Sequence, residues 1–409
     1  MEIGIPFDGV IERIEFPDGT DILESKYYPT LSLDSVALKI RKEWEERRDL
    51  FQNKKISIIV NDGTRRVPTS TIIKILLRLV GQASTEILIA TGTHRRPTNP
   101  ELNEILGDLR DQYDGKIFIH DCYDTKSMTR IGTTSRGTPV TVNKKLMEAE
   151  SLVCINSVEP HFFAGYTGGR KSLVPGLASF ETIVANHSHA KSEFADSLNL
   201  DNNPVHLDLE EAADLAAVMP IFSIQLVLSR NGEIVDLHCG HLKDSFRKAC
   251  EKAYEVYSIP IKKAYDVVFA IGEPPLDASL YQLQKGQEHG ARAVADGGIL
   301  VVVGACREGA GSPYFVKLAD DYPAPEDALT SRAMADGRFG IHKLIKTARR
   351  LKKIKIWYLT KMDDNAIIKL YFEPKNSLRE SLQEAVGYFG GACEVAVLKD
   401  ACFMVPVRV

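Results

Sequence analysis

Residues 55–92 contain the pattern that decides the fold, and they read K-I-S-I-I-V-N-D-G-T-R-R-V-P-T-S-T-I-I-K-I-L-L-R-L-V-G-Q-A-S-T-E-I-L-I-A-T-G. The run at 55–60 is rich in β-branched residues, as in a buried strand, and a polar loop follows it directly. Residues 69–80 repeat apolar residues at helical spacing behind a Pro-Thr start, and 86–92 is the next strand. A strand, a polar loop and a helix in succession predict a βαβ unit of a parallel sheet.

The same pattern continues outward along the chain. Residues 116–120 and 152–156 predict two more strands, whereas residues 197–260 read as mostly helical and include an apolar run at 220–228. A second series of strands begins after Tyr265, at residues 266–272, 298–305, 354–360 and 394–398. The sequence therefore predicts an α/β protein of two αβα domains with mainly parallel sheets.

The length of the chain also indicates two domains, because 409 residues exceed one ordinary hydrophobic core. The segment I-P-I-K-K-A (259–264) is typical of a connection between two sheets, which places the boundary near Lys263. The predicted domains are residues 1–263 and residues 264–409. A ligand cleft often lies between two domains, so we expect the active site there.

Composition narrows the class of protein and the compartment. Hydrophobic residues at 44% and charged residues at 26% are typical of a globular protein. The net charge of −4 provides no electrostatic footprint for nucleic acid or an anionic membrane. The N-terminus is too weakly apolar for a signal peptide, and no apolar run approaches the ~20 residues of a membrane span. Seven scattered cysteines without a C-x-x-C pair favour a reduced, cytoplasmic setting.

Unusual polar residues follow three consecutive predicted strands. Asp62, Thr64 and Arg65 follow the first, His94 follows the second and His161 follows the third. Ligands of open parallel sheets bind outside the carboxyl ends of the strands. Each residue alone has an ordinary explanation as a helix cap, a surface cation or a turn hydrogen bond. Their recurrence at corresponding positions favours a binding site.

Residues 156–189 add a dense glycine cluster followed by Lys171 and His187. Glycines let the backbone adopt positive φ and approach a bound group closely. A lysine beside an imidazole could hold a cofactor covalently next to a metal, for which neutral imidazole is a common ligand. No second ligand at standard spacing accompanies His187, so such a metal would have to bring its other ligands. The ordinary alternative is a Gly-rich loop with a solvated lysine.

The second domain contains D-A-S-L-Y-Q-L-Q-K-G-Q-E-H-G (277–290) directly after a predicted strand and turn. Gln282 and Lys285 are three residues apart and would share one face of a helix. An amide and an ammonium together suit a small carboxylate. A solvated helix start explains the same residues equally well.

As a set, these motifs resemble the nickel-dependent lactate racemase family of 2-hydroxy-acid racemases and epimerases. The motifs that carry the resemblance are D-G-T-R (62–65), G-T-H-R-R-P-T (92–98), E-P-H-F-F-A-G-Y-T-G-G-R-K (159–171), N-H (186–187) and Y-Q-L-Q-K-G (281–286). The resemblance covers both predicted domains. It implies an isomerase with an N-terminal cofactor-binding and catalytic domain and a C-terminal domain that closes on the substrate.

The resemblance also implies a cofactor. This would be a nickel-pincer nucleotide, a pyridinium mononucleotide with two thio-carbonyl arms, joined covalently to Lys171 and made by separate biosynthesis enzymes. His187 would be the protein ligand of nickel, beside two sulfurs and a ring carbon of the cofactor. Four residues would contact the nucleotide: Asp62, Gly63, Thr64 and Arg65.

For the substrate, the resemblance implies a 2-hydroxy acid, whether lactate-like, dicarboxylic or a sugar acid. His94 and His161 would be paired bases, because imidazoles suit proton transfer in either direction near neutral pH. Arg65 would help hold the substrate carboxylate, and Gln282 and Lys285 would bind substrate from the second domain.

One position departs from the family pattern, and two other functions stay open. Proline commonly follows D-x-T-R in the family, whereas Arg66 stands here. This extra cation would either favour a substrate more polar than lactate, such as one with a second carboxylate, or contact the nucleotide phosphate. A zinc or iron hydro-lyase or hydrolase would use His94, His161 and His187 as direct metal ligands. A non-catalytic protein that binds small acids or nucleotides is the third reading.

Overall fold

The structure, a computed structural model, describes residues 1–81, 85–311 and 313–409. The strands are β1 (Glu2–Phe7), β2 (Val10–Glu15), β3 (Asp21–Leu23), β4 (Ile56–Asn61), β5 (Thr85–Ala90), β6 (Ile117–Ile119), β7 (Met128–Thr133), β8 (Pro139–Asn143), β9 (Ser151–Ser157), β10 (Pro160–His161), β11 (Gly165–Tyr166), β12 (Ile221–Leu228), β13 (Ile234–Gly240), β14 (Ser258–Ile261), β15 (Tyr265–Ile271), β16 (Val294–Val303), β17 (Lys355–Leu359), β18 (Glu373–Lys375), β19 (Val395–Leu398) and β20 (Val405–Arg408).

The helices alternate with these strands over most of the chain. They are α1 (Leu33–Glu45), α2 (Thr69–Val80), α3 (Asn99–Leu106), α4 (Leu109–Gln112), α5 (Lys144–Met147), α6 (Phe180–Ser188), α7 (Pro204–Ala216), α8 (Leu242–Tyr257), α9 (Leu280–Gly290), α10 (Pro313–Asp321), α11 (Ser331–Ala335), α12 (Ile341–Leu351), α13 (Asp364–Lys369) and α14 (Leu378–Tyr388). None of the helices in the described ranges is both long and apolar enough to cross a membrane.

The chain divides into two compact units. The N-terminal unit is Tyr27–Val256, and the C-terminal unit combines Met1–Lys26 with Tyr257–Val409. The first 26 residues were predicted to belong to the N-terminal domain, but they join the C-terminal unit because β3 pairs in parallel with β19. The division near Tyr257 lies shortly before the predicted boundary at Lys263, and β14 occupies part of the predicted connection.

A six-stranded sheet of order β13-β12-β9-β4-β5-β6 forms the centre of the N-terminal unit. All pairings are parallel except β12 with β13. The apolar run at 220–228, expected within a mostly helical region, forms β12 instead, beside β9 at the centre of the sheet. Isoleucine and valine side chains of the sheet and of α2 fill one core, as expected for strands that helices cover.

The C-terminal unit is built on a second six-stranded sheet, of order β18-β17-β16-β15-β19-β3, in which every pairing is parallel. Its central strands are continuous runs of buried apolar residues, and a separate hydrophobic core surrounds them. The predicted class, α/β with mainly parallel sheets in two units, is therefore confirmed.

The order of strands in the N-terminal unit decides where its loops meet. β9, β4 and β5 are parallel neighbours, so their carboxyl ends lie at one edge of the sheet. The loop after β4 ends at Pro68, where α2 begins, and the loop after β5 ends at a capping box of Thr98 and Glu101 at the start of α3. The polar residues at this edge are therefore held between a strand end and a helix start.

Candidate active site

Asp62 and His94 connect the ends of β4 and β5. The Asp62 Oδ2 lies 2.7 Å from Nδ1 of His94, and its Oδ1 accepts hydrogen bonds from the Thr64 backbone N–H (3.1 Å) and Oγ1 (2.6 Å). Asp62 is 6% exposed, whereas the His94 side chain is 37% exposed. A buried carboxylate therefore orients an accessible imidazole.

The environment of Asp62 keeps it ionised. Burial alone would raise its pKa, but the charge and hydrogen bond of His94, with the hydrogen bonds of Thr64, outweigh burial and lower the pKa below its ordinary value. The carboxylate is consequently negative near neutral pH, and it can accept a hydrogen bond from the His94 ring. Such an arrangement suits an imidazole that must take up a proton.

Arg65 connects the loop after β4 to the end of β9. Its Nη1 lies 2.6 Å from the Glu159 Oε2, and both side chains are largely buried. Glu159 also accepts a hydrogen bond from the Ser157 hydroxyl (2.7 Å). Reasoning from the sequence missed Glu159, although it stands two residues before His161 in the quoted motif. The ion pair holds Arg65 next to the loop that carries His161.

His161 lies on β10 and is 8% exposed. The backbone N–H of Ala164 donates a hydrogen bond to its Nδ1 (3.3 Å). The Phe163 ring contacts both the His161 ring (centroids 4.5 Å apart) and the His187 ring (5.0 Å). The structure thus brings His161 and His187 into contact with one phenylalanine ring.

Lys171 belongs to a 3-10 turn, Gly169–Ser172, that follows two glycines with positive φ. A Cβ on Gly169 would lie 2.5 Å from the Phe246 Cγ, so this close approach of the turn to α8 requires glycine. The carbonyl of Lys171 accepts from the Gly176 N–H (3.0 Å), and the Gly176 carbonyl accepts from the Gly92 N–H (3.1 Å). Backbone hydrogen bonds therefore tie the lysine turn to the loop that carries His94.

The four residues predicted to contact a nucleotide are placed at the same sheet edge. Three of them have protein partners, since Asp62 and Thr64 bond each other and Arg65 pairs with Glu159. Gly63 packs against α3, where a Cβ would lie 3.4 Å from the side chain of Glu101. Their placement in one loop is consistent with the prediction, and their contact with a nucleotide stays a prediction.

Gln282 and Lys285 lie on α9 of the C-terminal unit, and Lys285 is nearly buried. A second lysine that sequence reasoning missed, Lys343 on α12, is close enough to interact with it. Burial and the charge of Lys285 lower the pKa of Lys343 well below its ordinary value, and Lys343 Nζ donates to the Tyr281 carbonyl (2.9 Å). Two lysine side chains, Lys285 of α9 and Lys343 of α12, therefore lie near each other where a carboxylate is predicted to bind.

Arg66 lies apart from these contacts. Its Nη1 donates a hydrogen bond to the Arg230 carbonyl (3.1 Å), at the turn between β12 and β13. His189, two residues after His187, lies near Thr138 Oγ1 (3.3 Å) and Asp208. Both residues therefore have contacts within the N-terminal unit.

The arrangement of potential ligand side chains bears on whether the protein alone could hold a metal. Within the described ranges, no group of three or more histidine, cysteine, aspartate or glutamate side chains could hold a metal ion. The reading of His94, His161 and His187 as three direct ligands of zinc or iron therefore has no support in the structure. A group that brings most of its own metal ligands needs one imidazole and one lysine, which His187 and Lys171 provide. The chemistry of these two side chains suits such a group, and their binding to it stays a prediction.

Comparisons with known proteins identify the class and then the family. A model of the lactate racemase N-terminal domain matches residues 36–197, and a model of the lactate racemase C-terminal domain matches residues 259–405. The fold and these matches define an isomerase of the racemase class. The chain belongs to the lactate racemase family.

Individual relatives agree with this assignment. The chain is 32% identical to the lactate racemase of Thermoanaerobacterium thermosaccharolyticum over 366 residues, covering 86% of this chain and 85% of that one. It is also 32% identical to the lactate racemase of Lactiplantibacillus plantarum over 357 residues, covering 84% and 83%.

Solved structures share the fold over nearly all or all of this chain. The lactate racemase apoprotein from T. thermosaccharolyticum superposes with a TM-score of 0.88 at 30% identity, covering 100% of both chains. A protein from Thermotoga maritima superposes with a TM-score of 0.73 at 17% identity, covering 94% of this chain and 100% of that one, which shows the fold alone.

Proposed function

We propose that the protein inverts the C2 stereocentre of a 2-hydroxy acid with two histidine bases and a nickel-pincer nucleotide on Lys171. The relatives named lactate racemase support lactate or a close analogue as the substrate. The observation that carries the proposal is the pair of opposite hydrogen-bond states of His94 and His161.

His94 is prepared to accept a proton. Because Asp62 is ionised and can only accept, the proton of a neutral His94 lies on Nδ1, and Nε2 retains its lone pair. Nε2 can then take the proton of the substrate hydroxyl, and the imidazolium that forms is stabilised by the carboxylate 2.7 Å away.

His161 is prepared to donate a proton. The N–H of Ala164 can only donate, so Nδ1 of a neutral His161 is the acceptor and its proton lies on Nε2. His161 can take up on Nδ1, through solvent, the proton that His94 accepted, and the resulting imidazolium can protonate the product oxygen through Nε2 from the other face of the substrate. Both histidines are then neutral again at the end of the turnover. Two imidazoles in opposite states thus serve the two faces of one carbon.

The remaining residues bind and orient. Arg65, held by Glu159, would pair with the substrate carboxylate, and Gln282 and Lys285 would bind the substrate from α9. Lys171 would hold the nickel-pincer nucleotide covalently and His187 would ligate its nickel. When bound, this cofactor supplies a reversible acceptor for the hydride on C2, which is chemistry that no side chain offers.

The test is a substrate screen of the nickel-loaded enzyme. The protein is produced together with the enzymes that make the cofactor, and single enantiomers of lactate, malate and 2-hydroxyglutarate, with gluconate as a sugar acid, are each supplied. Chiral chromatography should show one of these acids converted to its C2 epimer by loaded enzyme and by no apoprotein sample. Absence of epimerisation of every acid by protein that carries nickel and the cofactor mass would refute the proposal.

A further inference from the structure

A cavity lies in the N-terminal unit, at the amino end of β12. The amino end of β12 is at the opposite edge of the sheet from the loops that carry His94 and His161, because β12 and β9 are parallel. The cavity encloses about 210 Å³. Its walls are mainly apolar and include Leu50, Ala213, Ala217, Ile221, Leu242 and Phe246.

Arg170 is the unusual polar group of this cavity. It lines the cavity and is only 3% exposed. Its Nη2 donates to the Ala164 carbonyl (2.9 Å) and its Nη1 to the Gly168 carbonyl (3.4 Å), while its guanidinium carbon lies 4.5 Å from the centre of the Phe246 ring. Its Nε has no hydrogen-bond partner within the described part of the chain. The Nε–H of this buried guanidinium is therefore available to donate a hydrogen bond to a ligand.

Arg170 also lacks an acid of its own, because Glu210, whose charge attracts it, is shared with Arg247. The two acids of the cavity have cations of their own, since Glu210 lies 3.9 Å from Arg247 and Asp214 lies 2.6 Å from Lys243. Across the residues that the structure describes, no carboxylate lies within 4.0 Å of the Arg170 guanidinium. Burial lowers the pKa of Arg170 to about 10, so the group is still a cation near neutral pH. A buried cation without an anion is costly.

We propose that this cavity binds a small amphipathic monocarboxylate. The carboxylate pairs with the Arg170 guanidinium, and a short alkyl chain packs against Leu242, Phe246 and their apolar neighbours. Phosphate fits the cavity less well, because the Arg170 guanidinium offers a single positive charge and most of the wall is apolar. This binding site goes beyond the proposed racemase function and does not depend on it.

Because of the position of Arg170, a ligand bound in the cavity should also affect the Gly-rich loop. Arg170 holds two carbonyls of the Gly-rich loop, and it stands directly before Lys171 in the turn. An anion that neutralises the guanidinium should therefore also stabilise this loop. We expect slower backbone hydrogen exchange over residues 164–171 when the cavity is occupied.

The test uses butanoate as the probe and the full-length protein without turnover. Isothermal titration should show one saturable site for butanoate and none for butylammonium, which has a similar shape and the opposite charge. Arg170→Met should weaken butanoate binding at least about tenfold, because a charged hydrogen-bonded pair is lost. If Arg170→Met fails to fold, Ala217→Leu provides the second test, because it fills the cavity and keeps the arginine.

Two further variants separate this cavity from the racemase site. Ala37→Leu makes the same change on α1, outside the cavity, and should bind butanoate like the unmodified protein. Lys285→Ala alters the predicted substrate site and should also leave butanoate binding unchanged. The inference is overturned if no saturable binding is found, if Lys285→Ala abolishes it, or if Ala217→Leu binds as tightly as Ala37→Leu.

Discussion

Replacing Asp62 by asparagine should make His94 a much poorer base, without altering the shape of the site. The Oδ1 of Asp62 accepts two hydrogen bonds from Thr64, whereas Oδ2 lies 2.7 Å from Nδ1 of His94. Asparagine will keep its oxygen toward Thr64, because its NH₂ group there would oppose the backbone N–H. The NH₂ group then faces His94, which forces the proton onto Nε2 and removes the lone pair that accepts the substrate proton.

The magnitude follows from the two interactions that change. Turning the amide to restore the active tautomer would leave the Thr64 N–H opposed by a donor, which costs about 1–3 kcal/mol. Losing the charge-assisted bond at 2.7 Å costs the imidazolium about 1.5–3 kcal/mol more. Together these correspond to a rate loss of about 10²–10⁴-fold, which is the usual range for removal of a general base.

The assay is a single turnover of the nickel-loaded enzyme with each enantiomer of the substrate, with 2-oxo acid measured after rapid quench. The loss should appear for the enantiomer whose proton His94 accepts, and the other enantiomer should be affected less than about tenfold. Asp49→Asn is a matched control, because the Asp49 side chain is 88% exposed. Nickel content and thermal midpoint are recorded for both variants.

Two results would refute this reasoning. Equal losses for both enantiomers at full cofactor loading would mean that Asp62 supports the whole site rather than His94. An Asp62→Asn enzyme as fast as Asp49→Asn would mean that the hydrogen bond to Nδ1 does not set the state of His94.

Three predictions concern the cofactor and the substrate. Lys171→Ala, produced with the biosynthesis enzymes, should show an unmodified intact mass, whereas the unaltered chain gains one cofactor mass, because the covalent anchor is gone. His187→Ala should keep its fold but bind less nickel per chain by elemental analysis, because one of the four nickel ligands is lost. Lys285→Ala should raise KM and lower kcat together in steady-state assays, because the ammonium that binds the carboxylate also orients it.

Each of these predictions has an opposing outcome. A cofactor mass on Lys171→Ala would place the covalent bond elsewhere. Unchanged nickel content of His187→Ala would remove that histidine from the ligand set. Unaltered kinetics of Lys285→Ala would move carboxylate binding to other residues, of which the neighbouring Lys343 is the first to examine.

The sequence predicted secondary structure best where the residue pattern of a segment is compatible with only one kind of element. The β-branched run at 55–60 and the amphipathic run at 69–80 became β4 and α2 almost residue for residue. The apolar run at 220–228 was misjudged, because a short continuous apolar run does not distinguish a buried strand from a buried helix. The three-residue strand β3 pairs with β19, more than 370 residues later, and no local pattern reveals such a partner.

For the candidate site, the sequence indicated which residues gather but not how they pair. Asp62 and His94 were both selected because they follow strands, yet their hydrogen bond required the order of β4 and β5. Glu159 was overlooked because its partner, Arg65, lies 94 residues earlier in the chain. Lys343 was overlooked for a similar reason, since it meets Lys285 only through the packing of α12 near α9.

The central claim, that two histidines serve opposite faces of the substrate, is tested most directly by comparing His94→Ala with His161→Ala. Each loaded variant is mixed with one enantiomer at a time, and the single-turnover burst of 2-oxo acid is measured. Both variants should lose steady-state racemisation by about 10²–10⁴-fold, and each should give a burst from one enantiomer only, with opposite preferences. A burst from the same enantiomer in both variants, or near-full racemisation by either one, would contradict the claim.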